Sequence, residues 1–431
     1  MIKPSSASLA VLLATLPSVV TSDVFAYEEA QHQIQNEINI VLTIDEAVRL
    51  ALTSDDPYLR QPEEMASSYE QAGIADSQLA DPKVRLNFAN WPLDSFSYSQ
   101  EPMTQIQVGV SQSFPKGNTL KFRREKRNAQ AKGERHKQAL REREVVLDTR
   151  MIWLELSYLS GAKSKIQESR TAVKELLTVI QSVFSSGRQT SQDILRAELE
   201  ISILDDRLVN IERQTAMLRA KLARRIGNKA FSAQIPSSPP GLRHPSDPTA
   251  VLETLISHPA AKLRSAMIEA ADKDVSIAGE SYKPGWTINA GYGARGGDRT
   301  DFASVGVTMD LPLFTEKRQD KRVQAAKKAR QANRFSKDTV LLELRKQLQV
   351  ARADWEQLDE RIKLYQSVVL VRAKDTREAS LNSYQSGVTD FPELVRSRLA
   401  ELDTELKIIR LKADRFKAQA QLLFLEGEND A

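Results

Sequence analysis

The sequence predicts a mainly helical chain built as a duplicated repeat, with four amphipathic strands set into it as two pairs. Three observations predict this. The chain repeats itself: Phe184-Ser185-Ser186-Gly187 returns 200 residues later as Tyr384-Gln385-Ser386-Gly387, and the match runs ungapped to Gly227 and Gly427. Seven identities in 44 positions, among them Arg196/Arg396, Leu199/Leu399, Ala220/Ala420 and Leu222/Leu422, are few, but both copies share one grammar. A long charged helix ends at a glycine, the chain turns, and a second long helix follows, as glycine at a helix stop permits. Next, two stretches switch from helical to alternating periodicity, once per copy. Finally, about 65 residues from Asn118 to Ser185 carry no proline, enough for a helix of about 100 Å.

Composition narrows the classes. Charged residues make up 27% of the 431 and the net charge is only +4, spread along helices, so no nucleic-acid footprint is visible. The absence of cysteine fits an oxidising compartment and excludes a Cys-ligated metal, a thiol nucleophile and a lipidated N-terminal Cys. Residues 1–26 read as a secretory signal peptide: Lys3, a short apolar run from Leu9 to Val20, and a cleavage site at Val24-Phe25-Ala26. That run is too short for the roughly 20 residues that span a bilayer. No other stretch is long enough, so any membrane entry must use strands.

Residues 27–41 form a polar segment. The first repeat, 42–227, opens with the amphipathic helix Leu42–Leu52, for which Thr43 is the expected cap. A helix from about Glu63 to Leu79 follows and ends at Asp81-Pro82. Strands at about 84–90 and 104–114 alternate Val84, Leu86 and Phe88, then Ile106, Val108 and Val110, with small or polar residues; Phe114-Pro115-Lys116-Gly117 closes the hairpin. In the long helix, Leu147, Met151, Leu154 and Tyr158 form one seam and Val145, Ile152, Leu156 and Leu159 a second, about 130° away. Asp148 and Glu155 lie between the seams, with Arg150 and Ser157 on the far side. A helix packed on both flanks and wet front and back is a stave in a wall, although an ordinary bundle helix also fits. The return helix runs from Ser191 to Ile226, and a Pro-rich linker spans 228–248. The second repeat, 249–427, carries a short helix at Ala250–Ser257, strands at about 286–293 and 303–311, a long helix from Lys317 to Gln385 and a return helix from Glu393 to Leu425. Residues 428–431 form a tail.

Four amphipathic strands cannot close a transmembrane barrel, which needs at least eight, and an open edge in lipid costs several kcal/mol per unpaired group. If the strands enter a membrane, several chains must share one barrel. Two copies give eight strands and three give twelve, and physics alone does not choose. The strand pattern also fits a soluble β-sandwich joined to a coiled coil. The residues offer no catalytic site, no cofactor site and no metal site. His32, His136, His244 and His258 are scattered, the methionines are dispersed, and carboxylates are interleaved with bases as on any solvated face. The chain is not expected to be an enzyme.

The order of these pieces, twice over, resembles the TolC family of outer-membrane efflux proteins across nearly all of Leu42 to Gly427. The carriers are Leu42-Thr43-Ile44-Asp45-Glu46-Ala47, the duplicated proline-led strand pairs, Pro312-Leu313-Phe314, and the Ser-Gly tips followed by an acid six residues on. The segments around Asp81-Pro82, Gln100–Gln105 and Gly109–Gln112 look most like the heavy-metal CzcC/CusC-like branch. The resemblance implies a homotrimer with a shared 12-stranded transmembrane β-barrel and an α-helical barrel across the periplasm. It implies a Gram-negative outer membrane, a periplasmic adaptor (membrane fusion protein), and an inner-membrane RND-type pump that supplies the energy. Adaptor docking would fall on Ser186, Gly187 and Arg188 in one repeat and on Ser386, Gly387 and Val388 in the other. The family often carries acids just inside the second tip. Glu393 matches one such position, but the next is Arg396, which puts a simple acidic ring in doubt. Pairing of Arg396 with Glu393 at i,i+3 would instead stabilise a closed periplasmic gate; an ordinary solvated helix face is the plainer alternative. The function so implied is a passive exit duct for heavy-metal cations. A duct of the same fold for multidrug efflux or type I protein secretion is the near alternative. A soluble periplasmic coiled-coil adaptor is the alternative of another class.

Overall fold

The computed structural model describes residues 41–184, 191–237, 241–246 and 248–427. The signal peptide, most of the 27–41 segment, the 428–431 tail and the tip residues Ser186, Gly187 and Arg188 lie outside the described residues. The described elements run α1 (Ile44–Leu52), α2 (Pro57–Asp76), β1 (Lys83–Ala89), β2 (Gln105–Phe114), α3 (Thr119–Phe184) and α4 (Ser191–Ile226). They continue with α5 (Lys229–Ser232), α6 (Pro248–Thr254), α7 (Pro259–Glu280), β3 (Trp286–Arg295), β4 (Phe302–Met309) and α8 (Gln319–Leu364). A π-helical turn (Tyr365–Val369) leads into α9 (Leu370–Gln385), and α10 (Phe391–Glu426) ends the chain.

Local chemistry explains the boundaries. Thr43 caps α1, its Oγ1 accepting from the Glu46 amide at 3.2 Å. Asp56 caps α2 the same way, accepting from the Tyr58 amide at 2.9 Å, with Pro57 at the first helical position. The helix therefore starts six residues before the expected Glu63 and runs through Pro62. Proline removes the amide that would bond the Tyr58 carbonyl, and Arg141 Nη1 supplies the missing donor at 2.7 Å. Gly227, Gly387 and Gly427 hold φ of +68°, +74° and +77°, the left-handed stops that the repeat predicts.

The helices form a single-layer wall. Near the strands the neighbours run α2, α3, α7, α8; toward the tips they run α4, α3, α10, then α8 and α9. The 66-residue α3 is the shared stave, packed on both flanks for about 100 Å. Val145, Ile152, Leu154, Leu156 and Leu159 are buried, as both seams require. One wet face is corrected. Arg150 and Ser157 are buried too: the linker crosses Ser157 as a strap, its Oγ donating to the Pro236 carbonyl at 2.8 Å, while Arg150 lies among Leu52, Leu59, Pro259 and Phe424. The strap begins where the Leu42 amide donates to the Gln234 carbonyl at 2.9 Å. Trp153, nearly inaccessible, donates Nε1–H to the Leu42 carbonyl at 2.8 Å and anchors the largest apolar cluster beneath it. Further along, Gln419 Nε2 donates to the carbonyls of Leu242 and Arg243.

The strands make one antiparallel sheet in the order β1-β2-β3-β4. Each repeat supplies one hairpin, and β2 pairs β3 over ten residues to join them. Phe114 to Gly117 leave the sheet and hand the chain to α3 instead of turning the hairpin, which closes through the 90–104 loop.

Candidate functional site

Two regions carry the features singled out in the sequence: the sheet and the second tip. In the sheet, register settles the faces. Val84, Val110, Ala290 and Val305 lie in one row across the four strands, and Leu86, Val108, Tyr292 and Ala303 in another. Ile288 pairs Val307, and Trp286 pairs Met309. This face is uncharged and bare: Val84 is 75% exposed and Val305 81%. The opposite face carries Arg85, Asn87, Gln107, Asn289, Ser304 and Thr308, with glycine at 109, 291, 293 and 306. Aromatic rings gather at both strand ends. Phe114 and Trp286 stack at 5.2 Å next to the helices, and Phe88, Trp91 and Tyr98 cluster at the other end. Strands of 7 to 10 residues approach the 9–11 that cross a bilayer with tilt. The outer edges of β1 and β4 have no partner strand among the described residues. No described helix is long and apolar enough to cross a membrane.

At the second tip, α9 ends in a paired cap. The Gly387 amide donates to the Tyr384 carbonyl at 3.0 Å, and the Val388 amide to the Ser383 carbonyl at 2.9 Å. Ser386, Gly387 and Val388 project together, with the Val388 side chain 79% exposed. Asp390 caps α10, accepting from the Glu393 amide at 3.3 Å. Beneath the turn, Phe391 and Val395 pack on Ile180 of α3 and Ala197 of α4, so one apolar cluster joins the two tips.

Glu393 and Arg396 do pair within the first turn of α10, but both are well exposed. A more enclosed acid lies deeper and was one charge among many in the sequence. Glu401 is 6% exposed, and its carboxylate lies 2.8 Å from Arg377 Nε on α9 and 3.0 Å from Arg398 Nη1. The first is a charge contact between the helices of the second repeat; the second is an aligned hydrogen bond. Arg207 of α4 reaches Asp403 of α10 at 2.8 Å, tying the repeats together. Higher on the wall, Glu155 of α3 accepts from Arg410 at 2.7 and 2.9 Å and also from Lys417. Burial pushes the Glu155 carboxyl up, but the bonds from Arg410 and Lys417 outweigh it and hold its pKa below the usual carboxylate range. Among the described residues no group of His, Cys, Asp and Glu is placed to hold a metal ion.

Comparison with known proteins agrees with this geometry. Residues 253–428, most of the second repeat, match the family model described as outer membrane efflux protein. The fold is that of solved outer-membrane channels. The outer membrane protein VceC from Vibrio cholerae superposes with a TM-score of 0.75 at 15% identity, covering 89% of this chain and 96% of its own. The Campylobacter jejuni outer membrane channel CmeC gives 0.75 at 12% identity, covering 89% and 85%. CusC, a protein that forms a transmembrane channel, gives 0.73 at 14% identity, covering 90% and 93%. No curated protein matches the chain in sequence.

Proposed function

We propose that this protein is a passive outer-membrane exit duct of a tripartite efflux system. Three copies share a twelve-stranded barrel, and their helical walls close into a tunnel across the periplasm. The observation that carries this reading is the sheet: one exposed apolar face broken only by Gln112 near the helices, a polar opposite face and two unpaired edges. Such a sheet is at odds with water, where the apolar face is bare, and with lipid as a single copy, where the edges are unsatisfied. Pairing β1 of one copy with β4 of the next satisfies both conditions. The helical wall supports the same closure. Leu195, Leu199 and Val209 are exposed on α4 at one flank, and Leu342, Val350 and Leu364 on α8 at the other. The copy number of three follows the TolC-family resemblance.

In this reading the tips, at Ser386, Gly387 and Val388 and at Ser186, Gly187 and Arg188, receive the periplasmic adaptor. The gate lies just inside them, around Glu393 and Arg396. An inner-membrane RND-type pump drives the cargo. The heavy-metal reading of the cargo rests on the resemblance of the Asp81–Gln112 segment. Loss of metal tolerance in a deletion strain, with dye and antibiotic tolerance intact, supports it; the reverse profile assigns the duct to multidrug export.

The test is to express the chain with its N-terminal segment, extract it from membranes in mild detergent and weigh the protein part of the particle. A membrane-extracted particle of three chains is expected. A monomer or dimer, found without detergent in the periplasm, overturns the duct and favours a soluble adaptor.

A further inference from the structure

We propose that the lumen of the shared barrel is an anion-preferring filter whose charge is set by Lys83 and Arg85. The inference rests on the duct reading above and deepens it, naming anionic and neutral small molecules as the solutes this passage favours over hydrated cations.

The strands carry three charged side chains, Lys83, Arg85 and Arg295, and all three are basic. Register puts them on one face, opposite Ser111, Gly109 and Gln105 respectively. That face contains no strand carboxylate, and the apolar face contains no charge. Arg295 is already engaged at the outer end. It donates to the Thr300 carbonyl, its guanidinium lies 4.1 Å from the Phe302 ring centre, and the Asp301 carboxylate accepts from its amide at 2.8 Å. The side chains of Lys83 and Arg85 are exposed and make no ion pair or hydrogen bond among the described residues.

The charge beneath the sheet has the same sign. A cavity of about 820 Å³ opens where the polar-face residues Ser113, Thr287 and Thr308 meet the helices. Lys116, Arg123 and Arg322 line it and have no ion-pair partner among the described residues. Of its acids, Asp76 is held by Arg127 and Asp274 by Lys126, each at 2.7 Å. Asp310 is left, and it sits beside Lys116: a Cβ on Gly285 would lie 3.3 Å from Lys116 Cγ and 3.6 Å from Asp310 Oδ2. Closing the barrel brings β4 of the next copy beside β1. Its polar face adds Ser304, Gly306 and Thr308, with no carboxylate before Asp310. Nearby, Glu280 is held by Lys283 at 2.8 Å and Asp320 accepts from the Tyr282 hydroxyl at 2.5 Å, and Asp81 lies just ahead of β1. The five bases without an ion-pair partner, Lys83, Arg85, Lys116, Arg123 and Arg322, outnumber Asp81, Asp310 and Asp320.

Rings of Lys and Arg in a pore favour anions, and lumen substitutions tune selectivity. In a water-filled lumen the effect is graded, because a screening length of about 10 Å at 0.1 M salt confines each charge's reach. Hydrated cations are slowed and not blocked, so the metal-export reading is decided by its own resistance profile.

The experiment is zero-current potential in planar bilayers across a KCl gradient, using membrane-extracted protein at low and high ionic strength. Wild type is expected to prefer chloride, most at low salt. In the double variant Lys83→Gln, Arg85→Gln the chloride-to-potassium permeability ratio should fall by about sevenfold, because a change of one kT in lumen potential lowers chloride and raises potassium by about 2.7-fold each. The charge-keeping pair Lys83→Arg, Arg85→Lys should retain it, which separates charge from assembly. Potassium preference in wild type, or an unchanged ratio in the neutralised double variant, overturns the inference while the duct stands. Should the neutralised double variant fail to assemble, the salt dependence of wild type decides: chloride preference that grows at low salt supports the inference, and its absence overturns it. Protein that leaves the membrane fraction without detergent as a single chain overturns the duct and the filter together.

Discussion

Replacing Glu401 by alanine should loosen the second tip far more than any change at Glu393 or Arg396. Glu401 lies about 15 Å inside the start of α10, and its carboxylate meets Arg377 of α9 at 2.8 Å and Arg398 at 3.0 Å. The carboxylate is 8% exposed, whereas the two arginines keep 30% and 28% exposure. Breaking a fully buried pair costs about 3–5 kcal/mol. Here both guanidiniums can rehydrate, so we scale the loss to about 2 kcal/mol, roughly thirtyfold in a local opening equilibrium. The Glu393–Arg396 pair is 39% and 66% exposed, and such pairs contribute about 0.5 kcal/mol, or roughly twofold. Hydrogen exchange read by mass spectrometry measures both. Amides of 370–385 should exchange about thirtyfold faster in Glu401→Ala and about twofold faster in Glu393→Ala, while α3 amides of 145–156 stay unchanged. Exchange of 370–385 within twofold of wild type in Glu401→Ala, or a larger effect from Glu393→Ala, would refute the assignment of the clamp to Glu401.

Arg225, 12% exposed in its side chain, bridges Asp56 at 2.9 Å and Asp148 at 3.0 Å; Arg225→Ala strands the enclosed Asp56 carboxylate and should cost about 3–5 kcal/mol, read as a lowered urea midpoint with Arg225→Lys in between. His258 is 2% exposed, and its Nδ1 caps α7 by accepting from the Ala260 amide at 3.2 Å. Burial, helped by Arg143 and opposed by the nearby Phe424 backbone, lowers its pKa from 6.5 to about 4. The unfolded chain therefore takes up a proton that the folded chain refuses: His258 contributes full stability above pH 6.5 and loses it as pH falls toward 4. Urea midpoints at pH 7.5 and pH 5 should differ more in wild type than in His258→Gln. On the sheet, Val305→Arg on the apolar face should cost about 2–4 kcal/mol and cut the yield extracted from membranes, whereas Ser304→Arg next to it should not.

Much of this fold is legible in the sequence because its punctuation is local. Proline, glycine and the switch from helical to alternating period put the strands within two residues of their observed ends, and α4 falls on its expected bounds. The failures are non-local. The helix expected from about Glu63 starts at Pro57, and Arg141, about eighty residues away, supplies the Tyr58 carbonyl with the donor that Pro62 lacks. Arg150 and Ser157 looked solvated because what covers them is distant in sequence: Pro236 for Ser157, and Leu52, Pro259 and Phe424 around Arg150. Glu401 resembled the acids around it, and only the approach of α9 distinguishes it. The π-turn at Tyr365–Val369 contains neither proline nor glycine, so nothing in the local pattern announces it.

The two repeats share a plan but not a mechanical role, and the π-turn marks the difference. In α3 the positions 200 residues earlier continue a regular helix that neighbours grip on both flanks. The second repeat's long helix is the last stave of the wall. Its π-turn has no buried residue, and neither does α9 beyond it. A π-turn rotates the faces on either side of it and gives a long helix a place to bend. Within one copy α9 packs on α10, and Leu364, Val368 and Val371 stand exposed before, within and just after the turn. Their spacing of four and then three is a coiled-coil seam awaiting another helix. The flank that closes the tunnel by meeting a second copy is therefore the flank that must move for the tip to open. In this arrangement assembly and gating draw on the same apolar seam, so a substitution that weakens it should loosen the tip before it dissociates the barrel.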